Sequence, residues 1–286
     1  MEHGTHRWWA LALLLLAACG GSGDEAADDA LLGEARRGGV TVALADPVRD
    51  VAISEARVPG RPIVLVDPGH GGADPGASGL SGAASEKVLT LAFARELRQR
   101  LVDGGRVRVA LTRDADRSLS LAQRADIARR IGAALFISIH MDSAPNPLAR
   151  GASVYSLSDV ASDLDAARFA RAENESGASL TSEESSSVRF LLSDLALRDQ
   201  MAASAALAER LVSASRGRVL LRPEPHRFAA FHVLRRSEVP GVLFEAGYIS
   251  NAEDEASLLT PAGRAPIVAA LARAIEIESA LIVAAR

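Results

Sequence analysis

Short apolar runs recur along the chain at the spacing expected for the strands of a buried sheet. Ile63–Val66 is fully apolar and rich in β-branched residues, which is typical of a strand covered on both faces. The same pattern predicts further strands at Val107–Leu111, Leu135–Ile139, Ala152–Leu157, Phe231–Leu234 and Gly241–Phe244. Turn residues such as those of Asp67–Gly72 mark where a run ends.

Segments of helical periodicity separate these runs. One apolar stripe steps by four residues through Leu89, Phe93, Leu97 and Leu101. Ser85 before it favours a helix start, and Gly104-Gly105 favours its end. Further helices are predicted at Leu119–Ile131 and about Pro261–Ala280. The alternation of strands and helices predicts an α/β fold, with one mostly parallel or mixed sheet flanked by helices on both faces.

The alternation breaks down between about residues 158 and 217. Long polar helical stretches and a low-complexity patch at Thr181–Ser187 replace it, which predicts a helical insertion lying over the core. The predicted domain spans residues 61–286 and includes this insertion. Residues 19–60 are rich in Gly, Ala and Asp and predict a flexible tether.

Residues 1–18 have the pattern of a signal peptide. Trp8–Ala18 is an apolar run too short to span a bilayer but suited to the core of an export signal. Leu16–Gly20 resembles the lipobox of bacterial lipoproteins, which implies cleavage before Cys19 and acylation of that residue. The alternative is an unlipidated leader with a chance cysteine. Cys19 is the only cysteine, so any metal must be held by histidines and carboxylates.

The charge of the chain narrows the class of partner. The formal net charge is -4 at pH 7. Nucleic-acid binders usually show a basic excess or a basic stripe. No nucleic acid is therefore expected among the partners.

Four residues of metal-binding type stand at predicted strand ends or at a helix start: His70, Glu86, His140 and Glu245. The carboxyl ends of the strands are where such folds gather their ligand site. Two histidines and one carboxylate can hold a catalytic zinc ion, and a second carboxylate can take a proton from water. Taken singly, each residue also has a structural interpretation, as a hydrogen-bonded histidine or a carboxylate that caps a helix.

Five segments, in order, resemble the motifs of the zinc-dependent N-acetylmuramoyl-L-alanine amidases of the cell-division type. They are Ile63–Ala77, Glu86–Lys87, Leu111–Arg113 with Asp116 and Arg124, Phe136–His140, and Val239–Asn251. The chain departs from the family pattern at Met141-Asp142, where Ala-Asn or Ala-Asp is usual, and at Tyr248, where Phe is more common. Neither departure removes a ligand.

The resemblance implies a role for each candidate residue. It implies one zinc ion per chain, held by His70, Glu86 and His140, with Glu245 as the catalytic carboxylate that activates water. The implied reaction is hydrolysis of the amide bond between N-acetylmuramic acid and L-alanine of peptidoglycan, in cell-wall remodelling and daughter-cell separation. Arg113, in the matched Thr-Arg segment, is a candidate for supporting the site, and the alternative is a plain surface cation.

The resemblance also implies regulation. In the division amidases an inserted helix lies across the cleft, a glutamate from it caps the zinc, and an activator protein displaces the helix. Arg171–Asn174 resembles part of that helix, which makes Glu173 the candidate autoinhibitory residue. The alternative is a solvated helix whose glutamate faces water.

The leader implies a location in the cell envelope. A lipid-anchored chain of this kind is expected in the periplasm. Gly20 stands where an Asp would resemble a signal for retention in the inner membrane. The inner leaflet of the outer membrane is therefore the expected site of the anchor.

Two other functions compete with the amidase. A non-catalytic peptidoglycan-binding lipoprotein of the same fold should have lost a ligand or the catalytic carboxylate, and this chain retains all four residues. A serine hydrolase should carry a G-x-S-x-G segment, which is absent. The sequence therefore predicts an active amidase.

Overall fold

The centre of the molecule is one mixed sheet. The computed structural model describes residues 51–176 and 187–285. Within these ranges the strands are β1 (Ile53–Ser54), β2 (Ile63–Pro68), β3 (Arg108–Leu111), β4 (Leu135–Asp142), β5 (Ala152–Leu157), β6 (Leu221–Ala229) and β7 (Gly241–Tyr248). Their order across the sheet is β1-β3-β2-β4-β7-β5-β6. The strands β3, β2, β4 and β7 are parallel, β1 pairs antiparallel with β3, and β5 pairs antiparallel with β7 and parallel with β6.

Helices cover both faces of this sheet. They are α1 (Glu86–Gly104), α2 (Leu121–Arg130), α3 (Leu164–Ser176), α4 (Ser187–Ser215), α5 (His232–Ser237), α6 (Ala252–Leu258) and α7 (Pro261–Ala284). Apolar residues of α1, α4 and α7 pack on one face, and those of α2, α3 and α5 pack on the other. The predicted α/β class, with a mixed sheet between two helical layers, is confirmed.

Local sequence explains where the helices begin. Ser85 occupies the N-cap position of α1 without a side-chain hydrogen bond, and α1 ends at Gly105, which adopts the left-handed conformation that glycine favours. Helix α2 begins with a capping box, in which Ser120 and Gln123 satisfy each other's backbone N–H groups. The last helix begins at Thr260, whose side chain accepts a hydrogen bond from Gly263.

The alternation of side chains along β4 and β7 decides which residues can reach a ligand. Ile139 belongs to the core beneath α1, α4 and α7, whereas Phe136 and Leu243 belong to the core beneath α2, α3 and α5. Successive side chains of a strand point to opposite faces. His140 and Glu245 share the parity of Phe136 and Leu243, and they therefore point toward the face that α3 covers.

The strand predicted at Phe231–Leu234 is wrong. Phe231 is the N-cap of the short helix α5, and the strand of this region is β6, which the sequence did not predict. Strand β6 lies at the edge of the sheet and most of its residues are partly or fully exposed. Its sequence therefore holds Pro223, Pro225 and charged residues, which an edge strand tolerates, in place of an apolar run.

The segment predicted as an insertion contains two helices that differ in their packing. Four residues of α4 are buried in the core beneath the sheet: Leu207, Ala208, Leu211 and Val212. Helix α4 is therefore a layer of the fold. Helix α3 lies against the opposite face, where it buries only Ala166 and Ala170. Of the two, only α3 has the position of a covering helix.

The sequence predicted that the domain begins at Arg61, but the sheet already includes residues that precede Arg61. Ile53 and Ser54 pair with Ala110 and Val109 of β3. The predicted signal peptide, Cys19 and residues 20–50 of the predicted tether lie outside the described residues. Among the helices that the structure does describe, none combines the length and apolar character needed to span a bilayer.

Candidate metal centre

Three of the sequence-predicted residues meet beyond the carboxyl ends of β2 and β4. Oε1 of Glu86 lies 3.0 Å from Nε2 of His70 and 3.1 Å from Nδ1 of His140. The carboxylate of Glu173 lies 3.9 Å from the first of these nitrogens and 3.5 Å from the second. Single donor atoms of His70, His140 and Glu173 fall within 4.8 Å of one another. On the next strand, β7, Glu245 stands opposite His140.

His70 is held in an uncommon backbone conformation by two polar contacts. Its φ angle is 58°, in the left-handed region that residues with a side chain rarely adopt. The His70 carbonyl accepts a 2.6 Å hydrogen bond from Arg124, and Nδ1 lies 2.9 Å from the Asp74 carboxylate. The Asp74 contact assigns the proton to Nδ1 and leaves Nε2 available as a donor to a metal. Nε2 is buried and makes no hydrogen bond among the described residues, because its 3.0 Å contact with Glu86 is an ion-pair distance without hydrogen-bond geometry.

His140 directs Nδ1 into the site, whereas His70 directs Nε2. Its ring meets the His70 ring nearly at right angles, with 5.0 Å between the ring centroids. The ring also lies directly on the backbone of Gly69, where an added Cβ would come within 2.4 Å of a ring atom. Glycine is therefore required at position 69 because the imidazole approaches the backbone closely.

Backbone N–H groups orient the Glu86 carboxylate. Oε1 accepts a 3.0 Å hydrogen bond from the backbone of Met141, and Oε2 accepts a 2.9 Å hydrogen bond from that of Ala77. Burial alone raises the pKa of Glu86, but His140 and His70 outweigh it and lower the pKa below its ordinary value. Glu86 is therefore an ionised carboxylate in a fixed orientation.

Glu173 reaches both histidines from α3, and its side chain is 17% exposed. The following residue latches the end of this helix to α5. Nδ2 of Asn174 donates to the Ala230 carbonyl at 2.8 Å, and its Oδ1 accepts from the His232 backbone at 2.8 Å. Phe169, one turn earlier, packs on Phe231 with 5.5 Å between the ring centroids. Glu173 therefore faces the histidines and is mostly shielded from water.

Glu245 is fully buried beside this cluster. Neither of its carboxylate oxygens has a hydrogen-bond partner among the described residues. Burial, reinforced by the charges of Asp142, Glu86 and Glu173, raises the pKa of Glu245 well above its ordinary value. A buried carboxylate without a partner is costly when ionised, unless positive charge lies close by.

The electrostatics of the cluster favour a bound cation. Burial raises the pKa of Glu173, and the charge of Glu86 adds to that effect. Burial alone lowers the pKa of His70, but the carboxylates of Glu86, Glu173 and Asp74 raise it to about 9. Imidazole and carboxylate donors in this proportion suit a zinc-type site. The donor set, the approach of two carboxylates to Nε2 of His70 and the excess of carboxylates all fit a divalent cation.

Arg113 supports the loop that carries His70. Its side chain is fully buried, and it donates hydrogen bonds to the carbonyls of Pro68 at 3.0 Å, Gly69 at 2.8 Å and Lys87 at 3.0 Å. Burial lowers its pKa to about 10, which leaves the guanidinium charged at neutral pH. Arg113 is therefore a brace behind the site, not a surface cation.

Asp67 ties the end of β2 to its neighbours. Its carboxylate accepts hydrogen bonds from Thr112 at 2.6 Å, Arg124 at 2.6 Å and Ser138 at 2.9 Å. Burial alone raises the pKa of Asp67, but Arg124 and these hydrogen bonds lower it below its ordinary value. Because Arg124 also holds the His70 carbonyl, this network fixes the loop in place.

Sequence reasoning did not identify Asp74 as part of the site. The residue lies in the glycine-rich loop, four positions after His70. An acid that close to a candidate ligand histidine is a signal that could have found it, since ligand histidines commonly give their second nitrogen to a carboxylate. Nothing local indicated the latch that Asn174 forms, because its partners are His232 at the start of α5 and Ala230, two positions before it.

The two histidines open into a cleft of about 500 Å³. One side of the cleft is the glycine-rich loop with Gly69 and Gly71, and Glu173 and Asn174 of α3 form part of the wall. Helix α3 therefore occupies part of the space beside the histidines.

Comparisons with known proteins agree with this geometry. The Amidase_3 family model, described as N-acetylmuramoyl-L-alanine amidase, matches residues 64–277. The amidase AmiA of Escherichia coli is 36% identical over 221 residues, which cover 76% of this chain and 75% of AmiA. Among solved structures, the amidase AmiC2 of Nostoc punctiforme matches with a TM-score of 0.57 and 30% identity, over 76% of this chain and 96% of that one. The catalytic domain of the amidase CwlV from Bacillus (Paenibacillus) polymyxa matches with a TM-score of 0.56 and 27% identity, over 75% of this chain and 96% of that domain.

The fold and the cluster at its strand ends define an enzyme of the peptidoglycan amidase class with an α/β fold. The chain belongs to the N-acetylmuramoyl-L-alanine amidase family. The family resemblance seen in the sequence is confirmed, and the chain is an amidase that acts on peptidoglycan in cell-wall remodelling.

Proposed function

We propose that this amidase depends on zinc, with His70, Glu86 and His140 as the ligands and Glu245 as the proton acceptor. The observation that carries the proposal is the approach of Glu86 to one nitrogen of each histidine, at 3.0 and 3.1 Å. A bound zinc ion would supply Lewis acidity for the amide carbonyl and lower the pKa of a water molecule to about 7.

Glu245 would take the proton of that water and return it to the leaving amine of L-alanine. Its two oxygens have no competing hydrogen bond among the described residues, so both are available. Positive charge in the cluster would compensate its acidic neighbours and favour the ionised form that accepts a proton. Asp74 would keep the His70 ring in a fixed orientation, and the backbone of Met141 would do the same for the Glu86 carboxylate.

Helix α3 would keep the enzyme inactive in the conformation described. Glu173 is directed at the same two nitrogens that would bind zinc, and α3 forms part of the cleft wall. A carboxylate in that position would occupy the place of the reacting water or the substrate carbonyl. The two hydrogen bonds of Asn174 and the low exposure of Glu173 support this arrangement over a solvent-facing helix.

An activator protein would then relieve the block by drawing α3 away from the cleft. A solved relative offers a precedent for a protein partner, since the amidase CwlD of Clostridioides difficile is in complex with the GerS lipoprotein. Activation of this kind suits daughter-cell separation, where cutting must be confined to one place and time.

The same proposal extends to the location of the enzyme. The leader and Cys19 support an exported lipoprotein in the periplasm, anchored in the inner leaflet of the outer membrane. The substrate supports this placement, because peptidoglycan lies in that compartment.

The activity is tested on purified sacculi with added zinc, using the compact unit Ala45–Arg286. Three chains are compared: Glu173→Gln, Glu173→Gln with Glu245→Gln, and Glu173→Gln with Glu253→Gln. Glu253 lies at the surface with a side chain that is 73% exposed, so its variant controls for the loss of one charge. We expect free stem peptides from the first and third chains only.

Release that is equal in all three chains would remove Glu245 from the mechanism. Release that persists after zinc is stripped by a chelator would remove the metal. Silence from all three, in chains that bind zinc and fold cooperatively, would favour a peptidoglycan-binding protein without amidase activity.

A further inference from the structure

Five arginines line a groove on the helical layer of α1 and α7. The groove encloses about 670 Å³, and its arginines are Arg61, Arg100, Arg106, Arg218 and Arg273. The single acid among its described lining residues is Glu276. The whole chain has 36 acidic against 32 basic residues, so the groove concentrates a charge opposite in sign to that of the protein.

Most of this positive charge is not neutralised by any residue that the structure describes. Arg106 lies 3.4 Å from Glu276. Arg61, Arg100 and Arg273 form no ion pair with any residue that the structure describes. Nε of Arg61 is buried and has no hydrogen-bond partner among the described residues. Guanidinium groups that line the same groove repel one another, and an anion bound among them removes that cost, so the groove favours a ligand with negative charge.

Exposed aliphatic side chains accompany these cations. Ile277 lines the groove and is 46% exposed, and Leu281, one helical turn further along α7, is 48% exposed. Leu220, two residues after Arg218, is 51% exposed. Cations beside exposed aliphatic groups are typical of surfaces that lie on a membrane, where the first contact phosphates and the second enter the headgroup region.

The groove is separate from the cleft. It lies on the helical layer that includes α7, whereas Glu173 and α3 lie on the other face of the sheet. No residue lines both. A ligand bound in the groove would therefore leave the cleft accessible.

We propose that the groove binds the phosphate groups of anionic phospholipids at a membrane surface. The planar guanidinium group matches a phosphate with two parallel hydrogen bonds, which favours arginine at such sites. This binding needs no acyl chain on Cys19, so a protein without residues 1–44 tests it. For the envelope amidase proposed above, the groove would orient the catalytic domain on its membrane in addition to any covalent anchor.

The test compares three forms of the compact unit Ala45–Arg286 by co-sedimentation with phosphatidylglycerol vesicles and with phosphatidylcholine vesicles. They are the unchanged unit, Arg100→Gln with Arg273→Gln, and the control Arg129→Gln with Arg130→Gln. The control removes the same charge from the last turn of α2, outside the groove. Cooperative thermal unfolding of each form shows that it is folded.

The unchanged unit is expected to bind phosphatidylglycerol and not phosphatidylcholine, with affinity that falls as salt rises. Loss of two groove arginines should weaken binding on the order of 30-fold, at about five-fold for each cation. The affinity of the control variant for phosphatidylglycerol vesicles should fall by clearly less. Equal losses in both double variants, or no binding by the unchanged unit, would overturn the proposal.

Titration with inorganic phosphate at constant ionic strength distinguishes the two sources of a phosphate group. Weak or absent binding of free phosphate, together with binding to vesicles, supports a membrane ligand. Saturable binding of free phosphate that needs Arg100 and Arg273, without vesicle binding, would assign the groove to a small anion and overturn the membrane proposal.

Discussion

His140 on β4 and Glu245 on β7 stand directly opposite each other on adjacent parallel strands. Because they share a register, both side chains point to the face that α3 covers. A slip of one residue would turn Glu245 to the other face, where Phe244 and Ala246 pack in the core. The pairing of two strands distant in sequence therefore sets the position of the candidate proton acceptor beside a candidate ligand.

Replacement of Glu173 by Gln should raise basal amidase activity in the absence of any partner. The substitution removes the negative charge next to His70 and His140 while keeping the size of the side chain. We expect an increase on the order of 10-fold or more, since the proposed block would close the cleft in nearly all molecules. The measurement is the rate of stem-peptide release from sacculi.

Glu175→Gln is the matched control, because Glu175 lies on the same helix and is exposed. Asn174→Ala should also raise the rate, since it removes the two hydrogen bonds that hold the end of α3. A basal rate that is unchanged by both Glu173→Gln and Asn174→Ala would show that α3 does not restrain the enzyme.

Replacement of Asp74 by Asn should weaken metal affinity by about 10- to 100-fold, the usual effect of losing a carboxylate behind a ligand histidine. Asp74 contacts Nδ1 of His70, the ring nitrogen that is not directed at the candidate metal. The affinity is measured by competition with a chelator. Asp126→Asn, at a surface ion pair on α2, should leave it unchanged, and an equal loss in both variants would contradict the role of Asp74.

Replacement of Glu245 by Gln should abolish most activity without lowering stability. General acid–base groups contribute about 10²- to 10⁴-fold to rate, whereas the unpaired, buried Glu245 carboxyl makes no hydrogen bond among the described residues that the variant would lose. In the metal-free protein the melting temperature should therefore stay the same or rise. A large drop would show that Glu245 has a structural partner.

Replacement of Asp67 by Asn should destabilise the fold by about 3–5 kcal/mol, because it leaves Arg124 buried without its counter-charge. The free energy of unfolding is measured by urea titration. Asp114→Asn is the control, since Asp114 pairs with Arg95 and Arg98 at the surface, where such pairs contribute about 0–1 kcal/mol. Similar costs for both variants would contradict the role given to the buried pair.

The contribution of Asp67 should also depend on pH. Its pKa in the folded protein lies below the ordinary value of 3.8, so the folded state favours the ionised carboxylate. The stabilisation is fully present above pH of about 5 and is lost as the pH falls through the folded pKa. The difference in unfolding free energy between the unchanged protein and Asp67→Asn should therefore shrink below pH of about 4, and a constant difference would contradict the assignment.

The sequence predicted the buried parts of the fold better than the exposed parts. Ile63–Val66, Leu135–Ile139 and Gly241–Phe244 are strands as expected, because a strand covered on both faces must be apolar throughout. The edge strand β6 escaped notice because its exposed positions remove that requirement. The segment Phe231–Leu234, which includes His232, was too short to distinguish a strand from a helix by periodicity.

By itself, the sequence determined the family, the α/β class and the residues able to bind a metal, since these rest on residue types and local spacing. Only the tertiary structure decided that α4 is a core layer, that Glu173 faces two histidines, and that Arg61, Arg100 and Arg273 share one groove. Each of these depends on which distant segments pack together. Local patterns report which side of a helix or strand is apolar, but not which other element covers it.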